Sequence, residues 1–202
     1  MEEFIDQYFE PIRNMFFEVG IKNVTMNDIC SELGISKRTL YQKFKDKNQL
    51  VNEVFSKDLY NFKESIKSIQ SISPNAIYET YLLFKLISKK QKKISATTLY
   101  DLKRYYAIRN EISIVANQLT TQVFEKNITR GINEKVYRKE INPTETANIL
   151  TFFFNSFILK ILLTPQVLSL PLNSFLEYHH NSVCTQQGKT IWEKLKAKYP
   201  DA

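Results

Sequence analysis

Apolar and aromatic side chains recur three and four residues apart from Ile5 through Tyr8, Phe9, Ile12, Met15 and Phe16 to Val19, and the pattern stops at Gly20. That spacing is one face of an α-helix, and a glycine directly after the last apolar position is a helix stop. The same period returns along the chain, while residues that make tight turns are scarce: 4 Gly and 6 Pro among 202 residues. With Leu, Lys, Glu, Gln and Ile throughout, this argues against a turn-rich β fold and predicts an all-α protein. A chain of this length that is 43% hydrophobic and 24% charged can bury a real core in one or two domains.

Several classes are disfavoured. Met1-Glu2-Glu3-Phe4 has no basic start, apolar signal core or small-residue cleavage site, so export is not expected. The longest apolar stretch, Ile149 to Leu163, contains Asn155 and Lys160 and falls short of the roughly 20 residues of a bilayer span. A buried helix is expected there, not a membrane anchor. Cys30 and Cys184 stand far apart with no neighbouring thiol or clustered imidazole, which supports neither a zinc site nor a disulfide scaffold. A reducing cytoplasm fits, and no cofactor or metal is called for.

The helix boundaries can be read in turn. Pro11 interrupts the first helix, and an interior proline costs about 3 kcal/mol, so either a kink or a short first turn before Pro11 is expected. Thr25, followed three residues on by Asp28, resembles a capping box and starts a helix from Met26 to Leu33. Gly34 allows a tight turn, and Ser36 can cap a third helix from Lys37 to about Phe44. Asp46-Lys47-Asn48-Gln49 repeats the cap logic for a fourth, whose apolar face is Leu50, Val51, Val54, Phe55 and Leu59 and which links two units. Ser71 to Pro74 is the next break, with Ser73 a natural N-cap. Beyond it, helices are expected over 75–90, 96–109, 112–139, 144–164 and 172–198, the last with an interruption at Gly188. No internal repeat or low-complexity tract is visible.

The formal charge of +7 is unevenly distributed. Residues 1–60 hold 8 Lys+Arg against 10 Asp+Glu, and the remainder 20 against 11, so the basic excess lies in the second part of the chain. Within 34–47, however, Lys37, Arg38, Lys43, Lys45 and Lys47 face only Asp46, and a local basic patch is what phosphate contact requires. On a helix, Leu40 and Phe44 share a face that Ile35 completes, so these anchor it to a core. Lys37, Arg38, Thr39, Tyr41, Gln42 and Lys43 occupy the other faces, and such groups bind phosphates and base edges. A helix of this size fits the DNA major groove, and a preceding helix joined by a Gly-containing turn makes a helix-turn-helix. The competing reading is a solvated amphipathic helix, which most short basic helices are.

Gly20, Thr25, Ile29, the run "LGISKRTLYQKFKDKNQL" over 33–50, and Val54-Phe55 resemble the amino-terminal DNA-binding region of TetR-type transcriptional regulators. The resemblance covers about residues 8–55. Its motif is Gly, aliphatic, Ser, two variable residues, Thr, Leu, Tyr, two variable residues, Phe, Lys, a variable residue and Lys. It implies a three-helix DNA-binding domain, here 1–52, followed by a helical ligand-binding and dimerisation domain, here 53–202. It also implies a homodimer in which each third helix enters one major-groove half-site of a double-stranded operator. Carried over by position, Lys37 and Arg38 are readers of base edges, with Gln42 a candidate third. Thr25, Ser36, Thr39, Tyr41, Lys43 and Lys47 are backbone-positioning residues, Lys47 at the positive end of the fourth helix. The sequence departs from the family at Pro11 and Cys30, where small residues are usual, and at Lys43, where an aromatic or histidine is common. Cys30 reads as a small core filler, and Lys43 adds phosphate affinity.

In the second domain the 144–164 helix is apolar on nearly every side, so it must be covered all round. Phe152, Phe154, Leu159 and Leu163 are its candidate dimer contacts, with the final helix as the second element of the interface. Tyr78, Tyr81, Phe84, Tyr100, Tyr105, Phe153 and Phe157 could line a pocket for a small apolar or aromatic ligand, against the plainer reading that aromatics at helical spacing are core. His179 and His180, about 100° apart on a helix, cannot jointly grip a metal and are expected at the surface or in a cap. Gly188-Lys189-Thr190 lacks the preceding glycine and strand of a phosphate-binding loop. Lys89, Lys90, Lys92 and Lys93 read as a solvated helix end.

The function expected from all this is a ligand-responsive repressor. An enzyme is disfavoured because the sequence has no paired His and carboxylate at catalytic spacing, no nucleophile elbow and no metal cluster. A protein-interaction module with a merely solvated third helix is the remaining alternative.

Overall fold

Helical periodicity becomes helix along the described chain, which in this computed structural model comprises residues 1–91, 95, 97, 98, 100, 101, 106–163 and 172–199. The named helices are α1 (Glu2–Val19), α2 (Met26–Leu33), α3 (Lys37–Lys43), α4 (Lys47–Ile72), α5 (Ala76–Gln91), α6 (Tyr106–Asn133), α7 (Pro143–Leu163), α8 (Leu172–Val183) and α9 (Gln186–Lys198). Residues 97, 98, 100 and 101 are also helical. The only β feature among the described residues is an isolated bridge between Tyr137 and Cys184. Two units form by contact, 1–64 with 92–116, and 65–91 with 117–202.

In the first unit α1 runs from Glu2 to Val19 through Pro11, without the separate short first turn expected before it. Phe4, Ile5 and Phe9 before the proline and Ile12, Phe16 and Phe17 after it are all buried, so burial on both sides outweighs the lost hydrogen bond. These residues form one core with Ile29, Leu40, Phe44, Leu50, Val51, Val54 and Phe55. Arg13 is buried with them. Its Nε donates to Asp58 Oδ1 at 2.7 Å, and its guanidinium lies 4.1 Å from the Phe17 ring centroid, which ties α1 to α4.

In the second unit several boundaries differ from the sequence reading. Asn75, not Ser73, caps α5: its Oδ1 accepts from Tyr78 N at 2.9 Å, while the Ser73 hydroxyl donates to the Ile69 carbonyl of α4. The expected break near 110 is absent, because α6 runs unbroken from 106 to 133. It then ends six residues before the expected Lys139, at a turn through left-handed Lys135 (φ 62°) that folds Tyr137 back over Gly131. A Cβ at Gly131 would lie 2.0 Å from the Tyr137 ring, so only glycine permits that return. The Tyr137 hydroxyl is 3.0 Å from that of Thr80, which donates to Asn127 Oδ1 at 2.7 Å. Burial pushes the Tyr137 phenol well up, keeping it protonated within this network.

The interruption expected at Gly188 falls instead at 184–185, where Thr185 caps α9 by accepting from Gly188 N at 3.2 Å. Gly188 sits inside the helix because a Cβ there would stand 2.1 Å from the Val136 carbonyl oxygen. His179 and His180, expected at the surface, are 5% and 0% exposed. The apolar face of α8 carries them inward: His180 stacks on Trp192 at 4.2 Å and its Nδ1 is 2.8 Å from the Leu176 carbonyl, while His179 faces Tyr137 and Phe175. Among the described residues no group of His, Cys, Asp and Glu could hold a metal ion, and no helix is long and apolar enough to cross a membrane.

Candidate nucleic-acid interface

The reading element is built by local chemistry. Thr25 accepts from Asp28 N at 3.1 Å, while its own N–H donates to Asp28 Oδ2 at 2.8 Å, the reciprocal box that starts α2. Donation from the Thr25 backbone N–H and from the Thr25 hydroxyl, both to Asp28 Oδ2, holds the Asp28 carboxyl below its ordinary range. Gly34 takes a left-handed conformation (φ 65°), which turns the chain from α2 toward α3. Ser36 caps α3 by accepting from Thr39 N at 3.1 Å, and the Ser36 and Thr39 hydroxyls lie 2.9 Å apart. One of that pair donates to the other, so a single hydroxyl hydrogen is left to point outward at an acceptor such as a phosphate oxygen.

Leu40 and Phe44 are fully buried, and Phe44 meets Phe4 edge to face at 5.5 Å. They fix the rotation of α3. At about 100° per residue, Gln42 falls opposite this buried face with Arg38 beside it, Tyr41 and Lys43 lie on the flanks, and Lys37 projects from the first turn of α3. Lys37, Arg38, Tyr41, Gln42 and Lys43 are all exposed, Tyr41 to 52%. Among the described residues no hydrogen bond or ion pair engages the side chains of Lys37, Arg38, Gln42 or Lys43, so their donors and charges face water. Such an array can contact phosphates with its flanks and base edges with its crest.

The remaining two proposed clamps are more occupied. Thr25 is exposed but both gives and takes hydrogen bonds with Asp28, with Thr25 Oγ1 2.7 Å from Asp28 Oδ2. Lys47 is half-buried, and its ammonium donates to the Lys22 carbonyl at 3.2 Å. Burial lowers the Lys47 pKa, opposed by the carboxylates of Asp101 and Asp28. Asp101 was not legible as part of this region: it lies 79 residues from Lys22, whose backbone N–H it accepts at 2.7 Å.

The proposed pocket and dimer residues sit elsewhere. Tyr81 and Phe84 are buried, Tyr81 stacked on Tyr199 at 5.7 Å and Phe84 on Phe124 at 5.5 Å. The Tyr78 hydroxyl is 3.4 Å from that of Tyr199, and Phe153, 40% exposed, lies 5.3 Å from Phe175. Tyr100 is 59% exposed and belongs to the first unit. On α7, Phe152 is 69% exposed and Ile149 57%. Tyr105, Lys92 and Lys93, and the side chains of Lys90, Phe154, Phe157, Leu159 and Leu163, lie outside the described residues.

Residues 11–54 match the family model described as bacterial regulatory proteins, tetR family. HTH-type transcriptional regulators from two Staphylococcus aureus strains are 43% identical over 61 residues, which is 30% of this chain and 33% of each relative. The chain therefore matches these curated relatives over about a third of their length. Among solved structures, a TetR transcription regulator from Haloarcula marismortui aligns over 92% of this chain and all of its own (100%), with TM-score 0.76 and 14% identity. A transcriptional regulator from Cytophaga hutchinsonii covers 90% of this chain and 98% of its own, with TM-score 0.73 and 19% identity. A transcriptional regulator from Saccharomonospora viridis in complex with choline covers 92% and 100%, with TM-score 0.70 and 16% identity. All of these are regulators by description, not enzymes, and the structural likeness extends the shared fold well beyond the reading element. Residues 11–54 thus form a helix-turn-helix unit similar to that of bacterial tetR-family regulatory proteins, on a chain whose fold is like that of the solved regulators.

Proposed function

We propose that the protein is a ligand-responsive transcriptional repressor that binds a palindromic operator as a homodimer. The observation that carries the DNA-binding part is the exposed face of α3: Arg38 and Gln42 at the crest, Tyr41 and Lys43 on the flanks and Lys37 at the first turn, anchored by fully buried Leu40 and Phe44. In this reading Lys37 and Arg38, in the first turn of α3, read base edges with Gln42 a candidate third, and Ser36, Thr39, Tyr41 and Lys43 contact the backbone. The assay is binding to a duplex of the intergenic DNA upstream of its own gene. Wild type should prefer that duplex over random DNA and lose affinity steeply with salt, with log K falling by about 0.9 per log unit of salt for each phosphate neutralised. The double variant Arg38→Ala with Tyr41→Ala should abolish the preference. Wild-type binding no tighter than to random duplex in moderate salt refutes the reading. Undiminished DNA affinity after neutralising Lys37, Arg38 and Lys43 favours the interaction-module alternative.

Homodimerisation through α7 and the final helix is supported by the exposed apolar side chains of Ile149 and Phe152, three apart on one stripe of α7. Response to a small apolar or aromatic ligand is supported by the aromatic supply of the second unit around Tyr81, Phe84 and Phe153. Residues 92–116 of the first unit continue at both ends into the second, which gives ligand occupancy a covalent route to the reading element.

A further inference from the structure

In chain order Ser95, Thr98 and Asp101 lie between stretches of the second unit, yet their hydrogen bonds run to the end of α1 and the turn that leads into α2. Ser95 N donates to the Phe17 carbonyl at 2.8 Å. The Thr98 hydroxyl, fully buried, donates to the Phe16 carbonyl at 2.6 Å with the Phe17 carbonyl at 3.0 Å. These carbonyls belong to the last turn of α1, where the helix itself cannot satisfy every acceptor. Asp101, 3% exposed, accepts from Lys22 N at 2.7 Å. Gly20 (φ 99°) makes this approach possible, because a Cβ there would stand 2.6 Å from Thr97 Cγ2 and 3.2 Å from Asp101 Oδ2.

The Lys22 peptide is held from both sides. Its N–H goes to Asp101, and its carbonyl accepts from the ammonium of Lys47, the first residue of α4. Lys22 precedes α2 and Lys47 follows α3, so this one peptide joins the entrance and the exit of the helix-turn-helix. Asp101 also carries the negative charge that acts on Lys47. Neither end is free to swing without breaking a bond to a buried carboxylate or moving an ammonium away from it.

We propose that Asp101 is a positioning residue for DNA recognition, and that Ser95, Thr98 and Asp101 together form a brace fixing α2 and α3 in the geometry that meets the operator. The proposal rests on the DNA-binding reading above. It does not require Asp101 to touch DNA. A carboxylate facing inward to Lys22 and Lys47 adds no phosphate contact, so its removal should cost affinity without altering the salt slope.

The test uses the full chain, the upstream intergenic duplex and a random duplex, with three variants. Asp101→Asn keeps the shape and an acceptor for Lys22 but drops the charge facing Lys47. Asp101→Ala removes both, and Thr98→Val removes the hydroxyl bonds to α1 while keeping the side chain's size. The expected result is a loss of specific affinity of roughly tenfold for Asp101→Asn and more for Asp101→Ala, per folded molecule and well below the melting midpoint. The salt slope and the affinity for random duplex should stay at wild-type values. In a Lys47→Met background the Asp101→Asn loss should shrink, because neighbours on one network are not additive. Thr98→Val should weaken specific binding in the same slope-neutral way, and it and Asp101→Asn decide the matter if Asp101→Ala does not fold. The proposal is overturned if Asp101→Asn and Thr98→Val bind the intergenic duplex as wild type does. It is also overturned if their slope changes by a whole phosphate, or if only the melting midpoint falls. Failure of wild type itself to prefer the intergenic duplex overturns the DNA-binding reading instead, and the brace with it.

Discussion

Acid should destabilise this protein through its two buried histidines, beginning below about pH 6.5. The chain has 2 His, and both are buried in the second unit with Nε2 atoms that have no hydrogen-bond partner among the described residues. A carbonyl can only accept, so the Leu176 oxygen at 2.8 Å fixes the proton of neutral His180 on Nδ1. Burial lowers the His180 pKa from 6.5 to about 4, with the Leu176 carbonyl and Glu177 opposing and Lys196 adding to it; His179 is driven well below its ordinary value by burial and by His180. The folded state therefore binds fewer protons than the unfolded chain between these values, and stability falls as pH drops from about 6.5 towards 4. For His180 alone the linkage integral between neutrality and pH 5 is about 2 kcal/mol, and His179 adds a contribution of the same sign. Glu177 does not confound this window. Its Lys196 and Trp192 partners hold its pKa beneath 4.5, so its stabilisation is present above that value and is lost only below it. Urea unfolding followed by circular dichroism at pH 7.5, 6 and 5, at constant ionic strength and protein concentration, measures the effect. Replacing both histidines by Phe keeps the ring packing against Trp192 and Phe175 and should flatten the profile between pH 7.5 and 5. A wild-type unfolding free energy that changes by less than about 0.5 kcal/mol over this range refutes the argument, as does a full drop retained by the double variant.

Four further outcomes are expected. Gly188→Ala places a methyl 2.1 Å from the Val136 carbonyl oxygen, a backbone atom that cannot step aside cheaply, and should cost about 1–3 kcal/mol in thermal or urea unfolding. Arg130→Met should cost about 2–3 kcal/mol in the same assay, because Arg130 donates to Glu79, Glu134 and the Ser73 carbonyl and its loss strands Glu79 at 2% exposure, moderated by the partial exposure of Arg130 itself. Thr25→Ala removes the acceptor that starts α2 and should lower unfolding stability by about 1 kcal/mol. Lys43→Gln should reduce the magnitude of the salt slope of DNA binding by about 0.9, a change absent from the same substitution at a residue that does not meet phosphate.

What the sequence revealed was set by how far each signal reaches along the chain. Thr25 with Asp28, and Ser36 with Thr39, are caps made within three residues, and α2 and α3 begin where those residues place them. The motif of α3 was readable for the same reason, since Ile35, Leu40 and Phe44 encode a face by spacing alone. Ser73 and Asn75 show the limit of such reading. Both are good caps, and the choice fell to Asn75 because the Ser73 hydroxyl bonds back to Ile69 while its carbonyl serves Arg130. Gly188 looked like punctuation because its reason, the Val136 carbonyl, is 52 residues away in the sequence. The histidines were expected at the surface or in a cap because nothing local announces that Trp192, on the next helix, will stack on His180, or that Tyr137 will face His179. The attachment of Thr98 and Asp101 to the first unit was invisible to any local pattern, since their partners Phe16, Phe17 and Lys22 lie about 80 residues earlier.

The same distinction bears on how the reading element works. α3 has seven residues, far below the roughly 12 at which an isolated helix becomes even marginal in water, so its geometry is borrowed from what holds it. Leu40 and Phe44 set its rotation, Ser36 its start, and the turns at 20–25 and 44–46 its tilt against α1 and α4. Gln42 sits opposite the two anchors, so a change in their packing would rotate Gln42 and Arg38 together across the edges of the bases. Affinity for DNA should therefore respond to core substitutions such as Leu40→Val in specificity before it responds in salt slope, because the flanking cations remain near phosphates while the crest loses register. A Leu40→Val variant whose preference for the intergenic duplex over random DNA stayed unchanged, with α3 still folded, would show that the anchors do not set the reading register.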